Sequence, residues 1–240
     1  AELGWKNMLY LTMTGRNDWA SALSQTEKGS FSYPSIGMSA ILTEMMKLPS
    51  FIDYLKVRGS WASVGLPIAR GLSMPRYRWD PATGKWMTNT FRPLGKLFPE
   101  RTNSWEAGLT AKFFKNKLSL DFTWYLSNTR NQTFNIPVSA SSGYNSMYVQ
   151  SGNVRNKGIE LALGWNQRFG NLLWNANFTY SYNDNKVIEL LDDYEDPVTK
   201  EHYSLTEFGA GGVGSLSYKL TNGGSMGDIY VNKRLKRDQE

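Results

Sequence analysis

Seven stretches of this chain alternate apolar and polar side chains with period two, and the connectors between them are long and short in turn. Along 103–113 one face carries Trp105, Ala107, Leu109, Ala111 and Phe113, and the other carries Glu106, Gly108, Thr110 and Lys112. Along 117–128, Leu118, Leu120, Phe122, Trp124 and Leu126 oppose Ser119, Asp121, Thr123 and Tyr125. Similar patterns cover 5–15, 34–44, 53–64, 156–166 and 171–182. Side chains on a strand point to opposite faces in turn, so each stretch reads as a strand with one apolar and one polar side. A tilted strand needs about 9–11 residues to cross a bilayer. Strands of globular proteins are more often about 5–6.

The connectors add the topology. The segments 15–32, 65–102, 128–155 and 183 onward are long, whereas 44–52, 114–117 and 167–171 are short. Outer-membrane barrels sort their connections this way, with turns at the periplasmic rim and loops outside. The expected fold is therefore all-β, an antiparallel transmembrane β-barrel segment. Phe113, Trp165 and Trp174 fall at the expected periplasmic interface, and Tyr180 and Tyr182 at the outer one, as aromatic girdles do. The polar faces then line a wet lumen, with Arg58, Glu106, Asp121 and Glu160 as its charges. Seven strands are too few to close a barrel, which needs an even count of at least about eight. The chain is expected to be seven or more strands of a larger wall.

Other classes find little support. No cysteine is present, which excludes disulfides and thiolate metal sites. No run of about 18 apolar residues offers a helical span. The net charge of +6 comes without a basic run suited to nucleic acid, so no nucleic-acid partner is expected. His202 is the only histidine and sits in an acidic loop, so a His-dependent triad would rest on it alone, and a surface histidine is favoured. Glu106 and Glu160 are the candidate carboxylates for glycoside hydrolysis, with lumenal salt bridging the favoured role. No catalytic residue is assigned. Gly209 to Gly214 reads as a flexible outer loop. The acidic run Glu189, Asp192, Asp193, Glu195, Asp196 is read as solvated, with loop Ca²⁺ as the alternative. No cofactor is expected otherwise.

Loop aromatics are the best binding signal. Tyr77, Trp79 and Trp86 lie in one expected outer loop, and Tyr144 and Tyr148 in another. Flat rings stack on sugars and peptide side chains. They equally pack loops together or meet a partner protein, and the sequence does not separate these roles.

Several segments, in order, resemble the SusC/RagA family of TonB-dependent outer-membrane transporters of Bacteroidetes. Tyr10-Leu-Thr-Met-Thr-Gly-Arg16-Asn-Asp18-Trp-Ala-Ser21 is similar to a family strand ending in Arg-x-Asp-x-x-Ser. Tyr33-Pro34-Ser35 follows, and then Leu55-Lys-Val-Arg58-Gly59-Ser60-Trp61-Ala-Ser-Val-Gly65, similar to Leu-Lys-Leu-Arg-x-Ser-Tyr-Gly-x-x-Gly-Asn. Leu66 departs from the final Asn. Phe98-Pro99-Glu100-Arg101-Thr102-Asn-Ser104-Trp105-Glu106-Ala-Gly108 resembles the family's Pro-Glu-x-Thr-x-x-x-Glu-x-Gly strand. Ser151-Gly152-Asn153-Val-Arg-Asn156-Lys157-Gly158-Ile159-Glu160 resembles its Asn-x-Gly-x-Ile-x-Asn-x-Gly-x-Glu hallmark.

The resemblance implies a barrel of about 22 strands, of the plugged class. It implies import of a glycan or a peptide, energy from the TonB complex through an N-terminal part, and a SusD-like lipoprotein partner. Outer-membrane lipid would surround the wall. Two other readings stay open: a soluble all-β carbohydrate-binding module, and a β-rich glycoside hydrolase.

Overall fold

The computed structural model describes residues 1–23, 29–69, 72, 77–88, 90–92, 98–195, 200 and 202–231. The first strands are β1 (Glu2–Trp5), β2 (Leu9–Trp19), β3 (Ser30–Ile41) and β4 (Ile52–Leu66), with a short helix α1 (Leu42–Met45) at the turn before β4. Then come β5 (Arg78–Asp80), β6 (Lys85–Met87) and β7 (Phe91–Arg92) in a long connection, followed by β8 (Glu100–Phe113), β9 (Leu118–Pro137), β10 (Ser146–Phe169) and β11 (Leu172–Glu189). The chain continues through β12 (Leu191–Glu195), β13 (His202–Leu205), β14 (Glu207–Val213), β15 (Leu216–Thr221) and β16 (Ile229–Val231).

One sheet holds the wall in the order β1-β2-β3-β4-β8-β9-β10-β11, and every neighbouring pair on that path is antiparallel. Sequential strands thus lie side by side, as in an up-and-down barrel.

The inner turns follow from local chemistry. Phe114, Lys115 and Asn116 hold φ of 57, 59 and 61°, and the Asn116 amide donates to Asp53 Oδ2 at 2.8 Å. Gly170 at φ 57° opens the β10–β11 turn, where an L side chain would be strained. A third tight turn replaces part of the first expected strand. Lys6 and Asn7 sit at φ 49 and 54°, so 5–15 is not one strand but the end of β1, a turn and the start of β2.

The membrane face is continuous across strands. Val57, Leu109, Phe122, Leu161 and Tyr180 lie in one row, and Leu55, Ala111, Leu120, Leu163 and Phe178 in the next. Trp61 and Trp105 close the outer edge with ring centroids 6.3 Å apart. Phe51 stacks on Phe113 and Phe114 at the inner edge, at 6.5 and 6.0 Å. From Phe113 to Trp105 is about 27 Å along the strand, or about 20 Å along the axis at a tilt near 40°. This face stays open: Met38, Trp105 and Phe178 are 60, 55 and 56% exposed. A soluble sandwich would bury such a face or make it polar.

The strands outrun the expected boundaries at the outer end. β9 and β10 run to Pro137 and from Ser146, so most of the expected loop 128–155 is sheet. β2 reaches Trp19, β3 begins at Ser30, and β11 runs to Glu189. The segment after 183 is not one loop. It forms the sheets β12–β13 and β14–β15–β16, and Gly209 to Val213 belongs to β14 rather than to a flexible loop.

Within the extension the alternation reverses. Asn131 (φ 59°) and Gly152 (φ 88°) stand opposite each other, between the pairs Arg130↔Asn153 and Gln132↔Ser151. Below them Val154 and Val187 share the polar-face parity of Gly158 and Asn183. Above them Phe134 and Ile136 have membrane-face parity, yet they join Val154, Val187, Met147 and Val149 in one buried cluster. Two facing residues in the left-handed region turn the pleat over, and the apolar side crosses to the lumenal face. Leu190, Leu191 and Leu220 complete this core.

Candidate functional site

The lumenal face at membrane height is organised around Arg58 on β4. Its Nη2 donates to Asp121 Oδ1 at 3.1 Å and to Thr123 Oγ1 at 2.6 Å. Its Nη1 donates to Thr110 Oγ1 at 3.0 Å and to Asp121 Oδ2 at 3.3 Å. Glu106 Oε1 stands 3.7 Å from Nε. Thr110 Oγ1 donates to Asp121 Oδ2 at 2.7 Å. One guanidinium thus ties β4, β8 and β9 together, and its planar fork matches the carboxylate at two points.

Glycines make this reach possible. A Cβ on Gly108 would lie 2.6 Å from Arg58 Nε and 2.7 Å from Cζ. Tyr125 uses Gly158 in the same way: a Cβ there would sit 2.5 Å from its hydroxyl oxygen, and that hydroxyl donates to Asn183 Oδ1 at 3.1 Å. In both cases a long side chain crosses a glycine on the next strand and bonds to the strand beyond. Gly108 and Gly158 are the glycines of Glu-x-Gly and Gly-x-Glu, so those motifs have a local structural meaning.

Of the four expected lumenal charges, Arg58, Glu106 and Asp121 converge. Glu160 stands apart, level with Thr123 and Ser181, and makes no ion pair among the described residues. Glu106 and Glu160 are two strands apart and two residues offset, about 12 Å between backbones by sheet spacing. Glycosidase carboxylates work at about 5–9.5 Å.

The outer mouth holds a groove of about 660 Å³ between the β9–β10 extension and the β13–β14 segment. Ile136, Val138, Met147, Leu205 and Phe208 make its apolar floor and walls, with Ser139, Ser141, Ser142, Arg92 and Glu207 around them. Phe208 is held by an edge contact with Phe134, centroids 5.5 Å apart. The sequence reading missed Leu205 and Phe208, although Tyr203, Ser204 and Leu205 already alternate with period two.

The expected binding aromatics separate into two kinds. Tyr77, Trp79 and Trp86 are 67, 48 and 66% exposed. Trp79 and Trp86 face each other across the β5–β6 hairpin, centroids 5.6 Å apart. Tyr148 instead packs edge-on against Phe91 at 5.0 Å and beside Leu23 and Ile68. Tyr144 is half-buried in the β9–β10 connection.

In the acidic segment, Asp193 faces His202 Nδ1 at 2.6 Å, and Glu195 accepts from Lys200 at 2.8 Å. That hydrogen bond holds the Glu195 carboxyl below its ordinary range. Asp196 lies outside the described residues. Among the described residues no three His, Asp or Glu side chains converge as a metal site.

An antiparallel wall with a lipid-facing apolar belt and a polar inner face defines an outer-membrane β-barrel. The family model for the TonB-dependent receptor-like β-barrel matches residues 1–234, and the chain belongs to that family. It is 27% identical over 241 residues to TonB-dependent receptor P39 of Formosa agariphila, covering 96% of this chain and 21% of that protein. It is 28% identical over 200 residues to TonB-dependent receptor P26 of the same organism, covering 78% of this chain and 20% of that protein. The chain thus spans about a fifth of the length of these curated relatives. Among solved structures it resembles a chain of the RagAB peptide transporter, with TM-score 0.69 and 19% identity over 90% of this chain and 26% of that one. The same importer in its open-open state gives 0.68. The wall is SusC/RagA-like, as the motifs implied, and its place is the outer membrane.

Proposed function

We propose that this wall belongs to a TonB-dependent importer that carries glycans or peptides across the outer membrane. The observation that carries the reading is the apolar groove at the outer mouth, on the lumenal side of a wall that is polar at membrane height. Such a groove holds cargo where it enters. The wet, charged face below it, set by Arg58, Asp121 and Glu106, offers a path that apolar cargo groups do not stick to. A SusD-like surface lipoprotein would cover the mouth, and the exposed Tyr77, Trp79 and Trp86 suit either cargo or that partner. The TonB complex would act through parts of the protein beyond this wall. RagAB is described as a peptide importer, which supports the peptide arm of the reading.

The test is a deletion strain of the source organism grown on single glycans and on peptides as sole carbon source. Loss of growth on one class, restored by the full-length gene and abolished again by dissipating the proton gradient, supports the reading. Unchanged growth and unchanged uptake of both labelled classes would sink it.

A further inference from the structure

Just above the membrane belt, on the lipid-facing side, the wall carries cations that the lumen and cargo do not explain. Arg101 on β8 is the direct cross-strand partner of Arg130 on β9. One row lower, Arg155 on β10 is the direct partner of Lys186 on β11. Arg101 shares the face of Trp105, Arg130 that of Leu126, Arg155 that of Lys157, and Lys186 that of Asp184. All therefore point out of the barrel. Like charges directly opposite one another on a sheet face are destabilising, and here two such pairs adjoin.

Among the described residues none of these four cations has an ion pair. The bordering carboxylates are Asp184 and Glu189; Asp184 is taken by Lys157 at 3.2 Å, and Glu189 lies opposite Asn153. The Arg155 Nε is buried without a hydrogen-bond partner among the described residues, as is the Asn153 Oδ1 beside it. Arg101 leans away from Arg130 and donates to Ser63 Oγ at 2.8 Å. The height of the patch is set by the row of Trp61 and Trp105, which ends the apolar belt. One and two rows above it lie about 5 and 10 Å higher, at headgroup level. The patch spans β8 to β11, about 14 Å across.

We infer that this patch is a binding surface for the phosphate-bearing headgroup of an outer-leaflet glycolipid. Phosphate oxygens accept from guanidinium forks at two points and neutralise facing cations. A lipid is the source because its tails would lie on the belt directly below. The inference rests on the outer-membrane placement and not on the cargo, so its failure leaves the import reading untouched.

The test uses the full-length protein in mild detergent. Wild type and the Arg130→Gln/Lys186→Gln variant are titrated with purified phosphorylated lipid A, with enzymatically dephosphorylated lipid A and with inorganic phosphate, and bound lipid is counted by native mass spectrometry. Each basic residue at an anionic lipid surface contributes roughly fivefold, so the double variant should bind phosphorylated lipid about 25-fold more weakly. The lumenal variant Lys56→Gln removes the same kind of charge from the other face and should bind as wild type does. Heat-modifiable migration checks that each barrel is folded, and Lys186→Gln alone carries the test where the double variant does not fold. Equal affinity of wild type and variant overturns the inference. So does equal affinity for dephosphorylated lipid, tight binding of inorganic phosphate alone, or an equal loss in Lys56→Gln.

Discussion

The guanidinium of Arg58 crosses Gly108 and grips Asp121 two strands away, at 3.1 and 3.3 Å. The three atoms nearest to a Cβ at position 108 would all belong to the Arg58 side chain. Gly108→Ala should therefore displace the guanidinium rather than the sheet. Arg58 and Asp121 are partly open to water, with side chains 31 and 44% exposed, so the expected loss is small, about 1 kcal/mol. The Gly108→Ala/Arg58→Ala double variant should be no less stable than Arg58→Ala alone. Urea unfolding of the full-length barrel checks this, and additive losses would mean that the glycine serves some other contact.

Gly158 predicts a different outcome. Its Cβ would meet the Tyr182 carbonyl oxygen as well as the Tyr125 ring, and a backbone oxygen cannot swing aside. Gly158→Ala should destabilise the barrel by about 2–3 kcal/mol. Tyr125→Ala in the same protein should not restore it. The readout is the temperature at which heat-modifiable migration is lost.

Leu161 and Ala162 are neighbours on β10 that face opposite solvents. Leu161 lies in the middle row of the belt, and Ala162 lies beside Asp121. Leu161→Arg should cost about 2–4 kcal/mol, the range for arginine at the bilayer midplane. Ala162→Arg should cost well under 1 kcal/mol, because it enters water near a carboxylate. Refolding into lipid vesicles, followed by tryptophan fluorescence, measures both, and equal costs would place the membrane on the wrong face.

The groove and the aromatic hairpin should separate under mutation. Phe208→Ala removes a wall of the groove and should weaken cargo binding about 10-fold, from roughly 1.5 kcal/mol of lost apolar contact. Trp79→Ala and Trp86→Ala lie on a hairpin whose rings are largely exposed, so barrel stability should stay within about 0.5 kcal/mol. Calorimetric titration of the full-length protein with its growth-supporting cargo tests the first, and a thermal melt tests the second.

The belt was legible in the sequence because lipid on one side and water on the other force strict alternation from Trp105 to Phe113 and from Leu118 to Leu126. The gathering of Arg58, Glu106 and Asp121 on one face followed from that parity. Their convergence did not, because it depends on register between strands and on the gap left by Gly108. The extension beyond Asn128 was misread as loop. There Phe134 and Ile136 change sides at Asn131 and Gly152, and no single parity survives the crossing. The turn at Lys6 and Asn7 was hidden because it uses no glycine. For Tyr148 the sequence left packing and binding open, because its ring contact with Phe91 depends on the parallel pairing of β7 with β10, two distant segments whose meeting sequence spacing does not announce.

The pleat reversal at Asn131 and Gly152 has a consequence for how such a wall can change over generations. Below it every outward position answers to lipid and tolerates little. Above it the greasy side is sheltered within the mouth and the outside meets water, so the rim can lengthen, shorten or acquire new hairpins without altering the part that the bilayer selects. One left-handed pair divides a single pair of strands into an anchored half and a half free to diverge.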